Sequence, residues 1–202
     1  MEKMIIRYPV LVEGRYDRCK LEYNITSNIL QTDGFGIYRS DEKRELIRRV
    51  ARSAGKLLVL TDADGAGLII RNYINSILPQ ELVIHLYTPQ IYGKERRKTV
   101  PSKEGLLGVE GMEAELLRQL FAPYASDTLP PARLSLTKAD LFADRLAGTP
   151  DASYRRAAFL RAAGLPANLS ANAMLRAVNL LYDEKSYGEL LARIDGDTAA
   201  TL

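Results

Sequence analysis

Apolar blocks that run into acidic or glycine-rich turns recur along the first two thirds of the chain. Pro9-Val10-Leu11-Val12 ends in Glu13-Gly14, and a helix from about Asp17 to about Tyr23 is expected to follow. Asn28-Ile29-Leu30-Gln31 repeats the pattern and ends in the turn Thr32-Asp33-Gly34-Phe35-Gly36. Ser40 is a good N-cap, with Asp41 and Glu42 in the first turn and Leu46, Ile47 and Val50 on one face of a helix that stops near Gly55. Leu57-Leu58-Val59-Leu60 then runs into Thr61-Asp62-Ala63-Asp64-Gly65-Ala66-Gly67. A short apolar run bounded by turn residues reads as a buried strand of a parallel sheet. The next helix carries Leu68, Ile69, Tyr73, Ile74 and Ile77, a stripe expected to pack on that sheet, and Pro79 ends it. Leu82 to Tyr87 is a fourth strand.

From Pro89 to Glu104 the apolar rhythm is lost, and the stretch is too long for an ordinary connection. A helix over about Glu113 to Leu120 follows. Ser126 to Arg133 is linker-like, and beyond it the pattern predicts helices near Thr137–Leu146, Asp151–Ala163, Ser170–Leu181 and Tyr187–Ile194. The division this implies is an α/β domain over 1–125, a linker over 126–134 and a helical domain over 135–202.

Composition narrows the chemistry. A hydrophobic fraction of 47% over 202 residues supports a real core, and a net charge of +3 permits an acidic partner without demanding one. One cysteine, Cys19, excludes an intramolecular disulfide, and with the single histidine, His85, it cannot build a Cys/His zinc site. Cys19 reads as a buried, inert thiol, and His85, inside a strand, as a packed histidine without a chemical role. The opening apolar stretch is too short and interrupted for a signal peptide or membrane span, so a soluble cytoplasmic protein is expected.

The candidate chemistry lies at the strand ends, where ligands of parallel sheets collect. Asp62 and Asp64 are two apart, so in an extended chain both face the same side. Two convergent hard oxygens there suit a magnesium ion shared with a phosphate. The plainer reading is an Asx turn before Gly65. Gly14, Gly65 and Gly67 would allow close phosphate approach. Glu110 is a further carboxylate between glycines. Lys94, Arg96, Arg97, Lys98 and Lys103 give the 89–104 loop five basic residues against two acids, so it reads either as a phosphate-contacting loop or as a solvated one. The helix carrying Lys43, Arg44, Arg48, Arg49 and Arg52 has a basic face that its own acids partly offset. Arg71, on the helix after the aspartates, reads as an RNA-backbone contact or a surface residue.

A strand ending in Glu13-Gly14 and a later one ending in Asp62-x-Asp64 together resemble the Toprim domain. The segments VEGRYD, TDGFG, LTDADGAGLIIRNYI, IYGKERRK, PSKEG and GVEGM stand in the order seen in the Toprim ribonuclease family that matures 5S ribosomal RNA. The tail is similar to that family's helical region at Gly148-Thr149-Pro150-Asp151, Arg155-Arg156 and Gly164-Leu165-Pro166. The resemblance implies a mainly parallel Toprim sheet flanked by helices, with a small all-α C-terminal region. It implies magnesium-dependent hydrolysis of double-helical precursor RNA, through one or two Mg2+ ions held by Glu13, Asp62, Asp64 and Glu110, which form its catalytic set. It implies precursor 5S RNA as partner, with a 5S-binding ribosomal protein to present it, and RNA contacts from the basic loop and from Arg155 and Arg156. The sequence departs from the family at Ala63, where proline is frequent, at Gly111, where histidine is frequent, and at Asp33, where asparagine is frequent.

Other functions meet specific obstacles. A primase-like nucleotidyl transferase needs a template-binding or zinc module, and a topoisomerase a large strand-passage domain. A recombination mediator needs a cysteine-rich zinc site, and an ATPase-coupled nuclease a phosphate loop that this sequence lacks. A non-catalytic RNA-binding assembly factor would keep the same acids as a structural site. A small-molecule phosphate enzyme would leave the basic loop without a role.

Overall fold

The computed structural model describes residues 2–94, 99, 105–128 and 133–199. The chain forms two compact units: Met1–Ser40 with Ala54–Pro130, and Asp41–Ser53 with Pro131–Leu202. The second unit thus takes in most of a helix from the first third of the sequence.

In the first unit the strands are β1 (Met4–Ile5), β2 (Val10–Val12), β3 (Ile25–Thr26), β4 (Ile29–Gln31), β5 (Leu57–Thr61) and β6 (Val83–Tyr87). Among the described residues β1 pairs with β3, and the remaining four strands form a parallel sheet in the order β4-β2-β5-β6. Helices α1 (Arg15–Asn24), α3 (Gly65–Ile77) and α4 (Ala114–Phe121) belong to this unit, and α2 (Asp41–Ala54) lies between β4 and β5 in sequence. This is the α/β architecture, a parallel sheet flanked by helices, that the Toprim resemblance implied.

The strands form where β-rich apolar runs can be covered on both faces. All of β2 and β5 is buried. Val10, Val12, Leu58 and Leu60 point into a core with Leu21, Ile25, Met112, Leu117 and Phe121. The alternate residues Leu11, Leu57 and Val59 are equally buried, on the face where α3 packs against β5. The pairing places Val10 beside Leu58 and Leu11 beside Val59, so β2 and β5 end side by side. That adjacency brings residues 13 and 62 to one place.

α3 packs on a different face from the one the sequence suggested. Gly67, Ile70, Arg71 and Ile74 are buried, whereas Leu68 and Ile69 are more than half exposed. The cause is Gly67. A Cβ there would lie 2.2 Å from the Asp62 carbonyl oxygen, so the helix can approach β5 only through that position. The inward face then follows at i+3, i+4 and i+7 from Gly67. Cys19 also departs from expectation: it is exposed on α1.

The second unit holds α5 (Lys138–Ala143), α6 (Ala152–Ala162), α7 (Ala171–Leu181) and α8 (Glu184–Ala199), with Asp41–Ser53 from α2. Its polar interior ties these helices together. Arg49 donates to the Ala163 carbonyl at 3.0 Å and to the Tyr182 hydroxyl at 2.7 Å. The Asn179 side chain donates to the Leu136 carbonyl and accepts from the Leu136 N–H, both at 2.9 Å. No described helix is long and apolar enough to cross a membrane.

Phe121 is fully buried at the end of α4. Phe121→Ala is expected to cost about 3–5 kcal/mol of stability by leaving a cavity, measured by urea unfolding of the two proteins side by side.

Candidate active site

The site is built from main-chain amides as much as from side chains. β2 ends at Val12, so Glu13 stands at its carboxyl end beside the end of β5. Glu13 Oε1 accepts from the Asp62 N–H at 2.9 Å. Asp62 Oδ1 in turn accepts from the Val109 N–H at 2.8 Å. Val109 opens a short 3-10 turn, Val109–Gly111, that carries Glu110. Three segments far apart in sequence are therefore fastened in series, residue 13 to 62 and 62 to 109, and Glu110 arrives with the last of them.

Asp64 takes another role. It is the N-cap of α3, and its Oδ1 accepts from the Gly67 N–H at 2.9 Å. The Asx-type reading is therefore correct for one oxygen of Asp64. The chain has left β5 by Thr61, so the expectation that Asp62 and Asp64 share a direction through strand alternation does not describe their placement. Asp64 still acts electrostatically on Glu13.

The glycines do steric work. A Cβ on Gly108 would lie 2.5 Å from Asp62 Oδ2, and one on Gly67 would lie 3.0 Å from Glu13 Oε1. Gly67 is buried beneath the carboxylates, where it lets α3 close on β5, so the idea that it admits a phosphate is corrected. The Gly14 N–H is committed to the Asp17 carboxylate at 3.0 Å. Of the three glycines expected to face phosphate, Gly65 alone is exposed. Asp33 has φ +56°, the left-handed region that asparagine and aspartate tolerate best among non-glycine residues. The replacement of asparagine by aspartate there is thus conformationally conservative.

Electrostatics single out Glu13. Burial raises its pKa from 4.5 to about 7, the Asp62 N–H opposes this, and the charges of Asp62, Asp17 and Asp64 add to the rise. This carboxyl therefore holds its proton far more tightly than an ordinary glutamate does. Among the described residues, no three His, Cys, Asp or Glu side chains stand together as a metal-holding group. The donor set nevertheless fits magnesium in kind. Its groups are hard anionic oxygens, and Glu13 is a half-buried carboxylate beside the charges of Asp62, Asp17 and Asp64, which the Asp62 N–H and the Arg71 guanidinium oppose.

Arg71 does not reach outward to RNA. Its side chain is buried at 4% exposure. It donates to the Val59 carbonyl at 3.3 Å, the Thr61 carbonyl at 3.1 Å and the Leu86 carbonyl at 2.5 Å. Its guanidinium also lies 4.3 Å from the centre of the Tyr87 ring. It clamps the ends of β5 and β6 directly behind Asp62. Burial lowers its pKa, while Tyr87 and Glu13 act in the opposite direction. His85 is half-buried. Its Nδ1 lies 3.3 Å from Arg71 Nη1 and its Nε2 lies 2.8 Å from Asn75 Oδ1. Burial, then the neighbouring guanidinium, hold its pKa down, so it stays neutral. Periodicity alone did not predict this buried cation. Its spacing of four from Gly67, the residue of closest approach, is the signal that would have.

The other basic residues separate into distinct groups. Lys94 is exposed, with its ammonium 3.3 Å from the Thr99 carbonyl. Arg96, Arg97, Lys98 and Lys103 lie outside the described residues. The segments on either side pair with each other, Gly93 N–H to the Gly105 carbonyl at 2.9 Å and Leu107 N–H to the Ile91 carbonyl at 2.8 Å. In the helical unit, Arg155 donates to the Asp144 carbonyl at 2.8 Å and pairs with Asp195. Arg156 donates to the carbonyls of Leu146 at 2.9 Å and Leu169 at 3.3 Å. Both guanidiniums join helices and loops within the helical unit.

Comparison with known proteins gives the following relatives. The chain is 30% identical over 156 residues to ribonuclease M5 1 of Ligilactobacillus salivarius, covering 77% of this chain and 75% of that protein. It is 29% identical to ribonuclease M5 of Lactiplantibacillus plantarum, over 75% of each chain. It is 27% identical to ribonuclease M5 of Bacillus subtilis, over 76% of each chain. No family model matches the sequence.

The raised Glu13 pKa has a consequence for stability. A carboxyl that binds its proton more tightly when folded makes stability fall as pH rises. The loss begins near the unfolded value of 4.5 and is complete above about 7. In EDTA, Glu13→Gln should therefore match the wild type at acid pH and exceed it above neutrality, by about 1–2 kcal/mol once solvent screening is allowed for. Thermal or urea unfolding across that pH range measures the gap.

Proposed function

The chain belongs to the ribonuclease M5 family, and from that membership we propose that it is a magnesium-dependent endoribonuclease acting on structured, double-helical precursor RNA, with precursor 5S ribosomal RNA as its substrate. The observation that supports this reading is the series Glu13–Asp62–Val109, which fastens two carboxylates to each other's segment at the carboxyl edge of a parallel sheet and ties the turn that carries Glu110 to them.

Hydrolysis of a phosphodiester needs a water deprotonated, negative charge neutralised and a leaving oxygen protonated. A carboxyl with a pKa of about 7 is suited to the two proton steps at neutral pH. Glu13 accepts a proton on entering the reaction and holds it within the site. Its geometry is fixed by the Asp62 amide, so its proton-bearing edge is constant in direction. Asp62, Asp64 and Glu110, with Glu13 at their side, are the residues that would hold one or two magnesium ions. When bound, such ions supply neutralisation of the phosphate charge and a more acidic water. The Val109 amide and the wall at Gly108 orient the Asp62 carboxylate. The Asp64 carboxylate is oriented by its cap bond to Gly67.

Duplex RNA presents a deep, narrow major groove, so recognition rests on shape and phosphates. The described basic residue best placed for this is Lys94. Arg96, Arg97, Lys98 and Lys103 extend the same stretch of sequence and are proposed as its partners in phosphate contact. A 5S-binding ribosomal protein is proposed to present the substrate.

The test is cleavage of precursor 5S RNA in magnesium and in EDTA, with and without the ribosomal proteins that bind it. Discrete cuts are expected in magnesium alone. Asp62→Ala should abolish them, and Gly108→Ala, whose new methyl group displaces the Asp62 carboxylate, should slow them by about a hundredfold or more. RNA binding that persists without any cutting would overturn the reading in favour of a non-catalytic assembly factor.

A further inference from the structure

The peptide unit between Thr61 and Asp62 is gripped from both sides. On one side its carbonyl, that of Thr61, accepts from Arg71 Nη2 at 3.1 Å. On the other its N–H, that of Asp62, donates to Glu13 Oε1 at 2.9 Å. This peptide is trans, so it is planar and its carbonyl and N–H point in opposite directions. A tilt of the carbonyl is therefore a tilt of the N–H. One rigid plane joins a buried guanidinium to the carboxylate that the proposed reaction uses for its proton steps.

The polarity of this arrangement matches that of the peptide. Its oxygen, the negative end, meets the cation, and its N–H, the positive end, meets the anion. Hydrogen bonds in such a chain polarise one another, so each strengthens the other. The charges of Arg71 and Glu13 attract across it. The guanidinium is itself held firmly, by the carbonyls of Val59 and Leu86 and by the Tyr87 ring. A buried cation is costly to desolvate and is weak evidence for a contribution to stability. Its place behind the acids therefore points to a task beyond holding two strands together.

We propose that Arg71 is a positioning residue for the reaction: through the Thr61–Asp62 peptide it holds the Glu13 carboxylate in its working direction. The inference rests on the ribonuclease reading and adds to it a cation that never touches RNA. A guanidinium paired directly with Glu13 would compete with any cation that the acids receive. Acting through a peptide, Arg71 orients the carboxylate from behind and leaves the outer side of the site to substrate. Lysine is a poor substitute, because an ammonium on a flexible stem cannot hold the Val59, Thr61 and Leu86 carbonyls as one planar fork does. The charge would remain in such a variant while the orientation of the peptide relaxed.

The test reads this one peptide by nuclear magnetic resonance. The sequence holds two Thr-Asp pairs, Thr32-Asp33 and Thr61-Asp62. Isotope labels on the threonine carbonyl carbon and the aspartate nitrogen therefore leave two correlated amides, Asp62 and, as the control, Asp33. Spectra are taken in EDTA for wild type, Arg71→Met and Arg71→Lys. Arg71→Met keeps the length of the side chain and loses the donors. It should move the Thr61 carbonyl carbon and the Asp62 amide proton upfield together, leaving Asp33 in place. Arg71→Lys, the variant to rely on if Arg71→Met does not fold, should move both part of the way. In cleavage of precursor 5S RNA, Arg71→Lys should lower kcat about tenfold at unchanged KM. Movement of the Thr61 carbon with an unmoved Asp62 proton would overturn the proposal and leave Arg71 a clamp on strand ends. Equal movement of the Asp33 and Asp62 amides would overturn it in favour of a general loosening of the sheet edge. A raised KM at unchanged kcat would overturn it in favour of a role in holding RNA. If wild type cuts no precursor while the Asp62 proton responds as expected, the ribonuclease reading falls and the hold of Arg71 on Glu13 stands.

Discussion

The carboxyl edge of the sheet depends on one kind of interaction, a carboxylate held by a main-chain N–H. Asp62 N–H holds Glu13, Val109 N–H holds Asp62, and Gly67 N–H holds Asp64. Each bond stabilises a charge that its neighbours repel, since charge-assisted bonds of this kind are about twice as strong as neutral ones. A side-chain donor would rotate with its own rotamers. An amide in the backbone just past a buried strand, in a short 3-10 turn or in the first turn of a capped helix has no such rotamer freedom. These three carboxylates are thus fixed by the backbone, and the repulsion of Asp62 and Asp64 on Glu13 adds to the rise in its pKa.

Behind this edge, Arg71 solves a related problem from the other side. Parallel strands end with carbonyls pointing past their last partner, and these need donors. One guanidinium satisfies carbonyls of both β5 and β6 while lying over the Tyr87 ring. A planar fork with five N–H groups can serve several directions at once, where an ammonium could not hold the same set. His85 accepts in this network only as the neutral ring, which ties its tautomer to the arginine.

Much of this architecture was legible from residue order. The four main strands were visible as short apolar runs, continuous in the fully buried β2 and β5, and the carboxylates Glu13 and Asp62 were visible because each stands just past such a run's end. The four C-terminal helices were legible from their caps and punctuation. What was hidden depended on contacts between segments. The face of α3 turned on Gly67, whose lack of a side chain carries no hydrophobic signal. Arg71, Arg155 and Arg156 read as surface cations because an arginine's destination is set by unpaired carbonyls that no local pattern reveals. The two-residue strands β1 and β3 were too short to show any period.

The linkage of residues 13, 62 and 109 also has a consequence in time. Proteins are made from the N-terminus onward, and early segments begin to fold as they emerge. Glu13 and Asp62 belong to strands that can pair once β5 is free, but the amide that orients Asp62 is not yet made at that stage. The nascent chain therefore passes through a period in which Glu13 and Asp62 are present and the Asp62 carboxylate is not yet held by Val109. The Val109 amide can hold Asp62 only once residue 109 has left the synthesising ribosome, so a polypeptide stalled or truncated before that point carries Glu13 and Asp62 without the bond that orients the second of them.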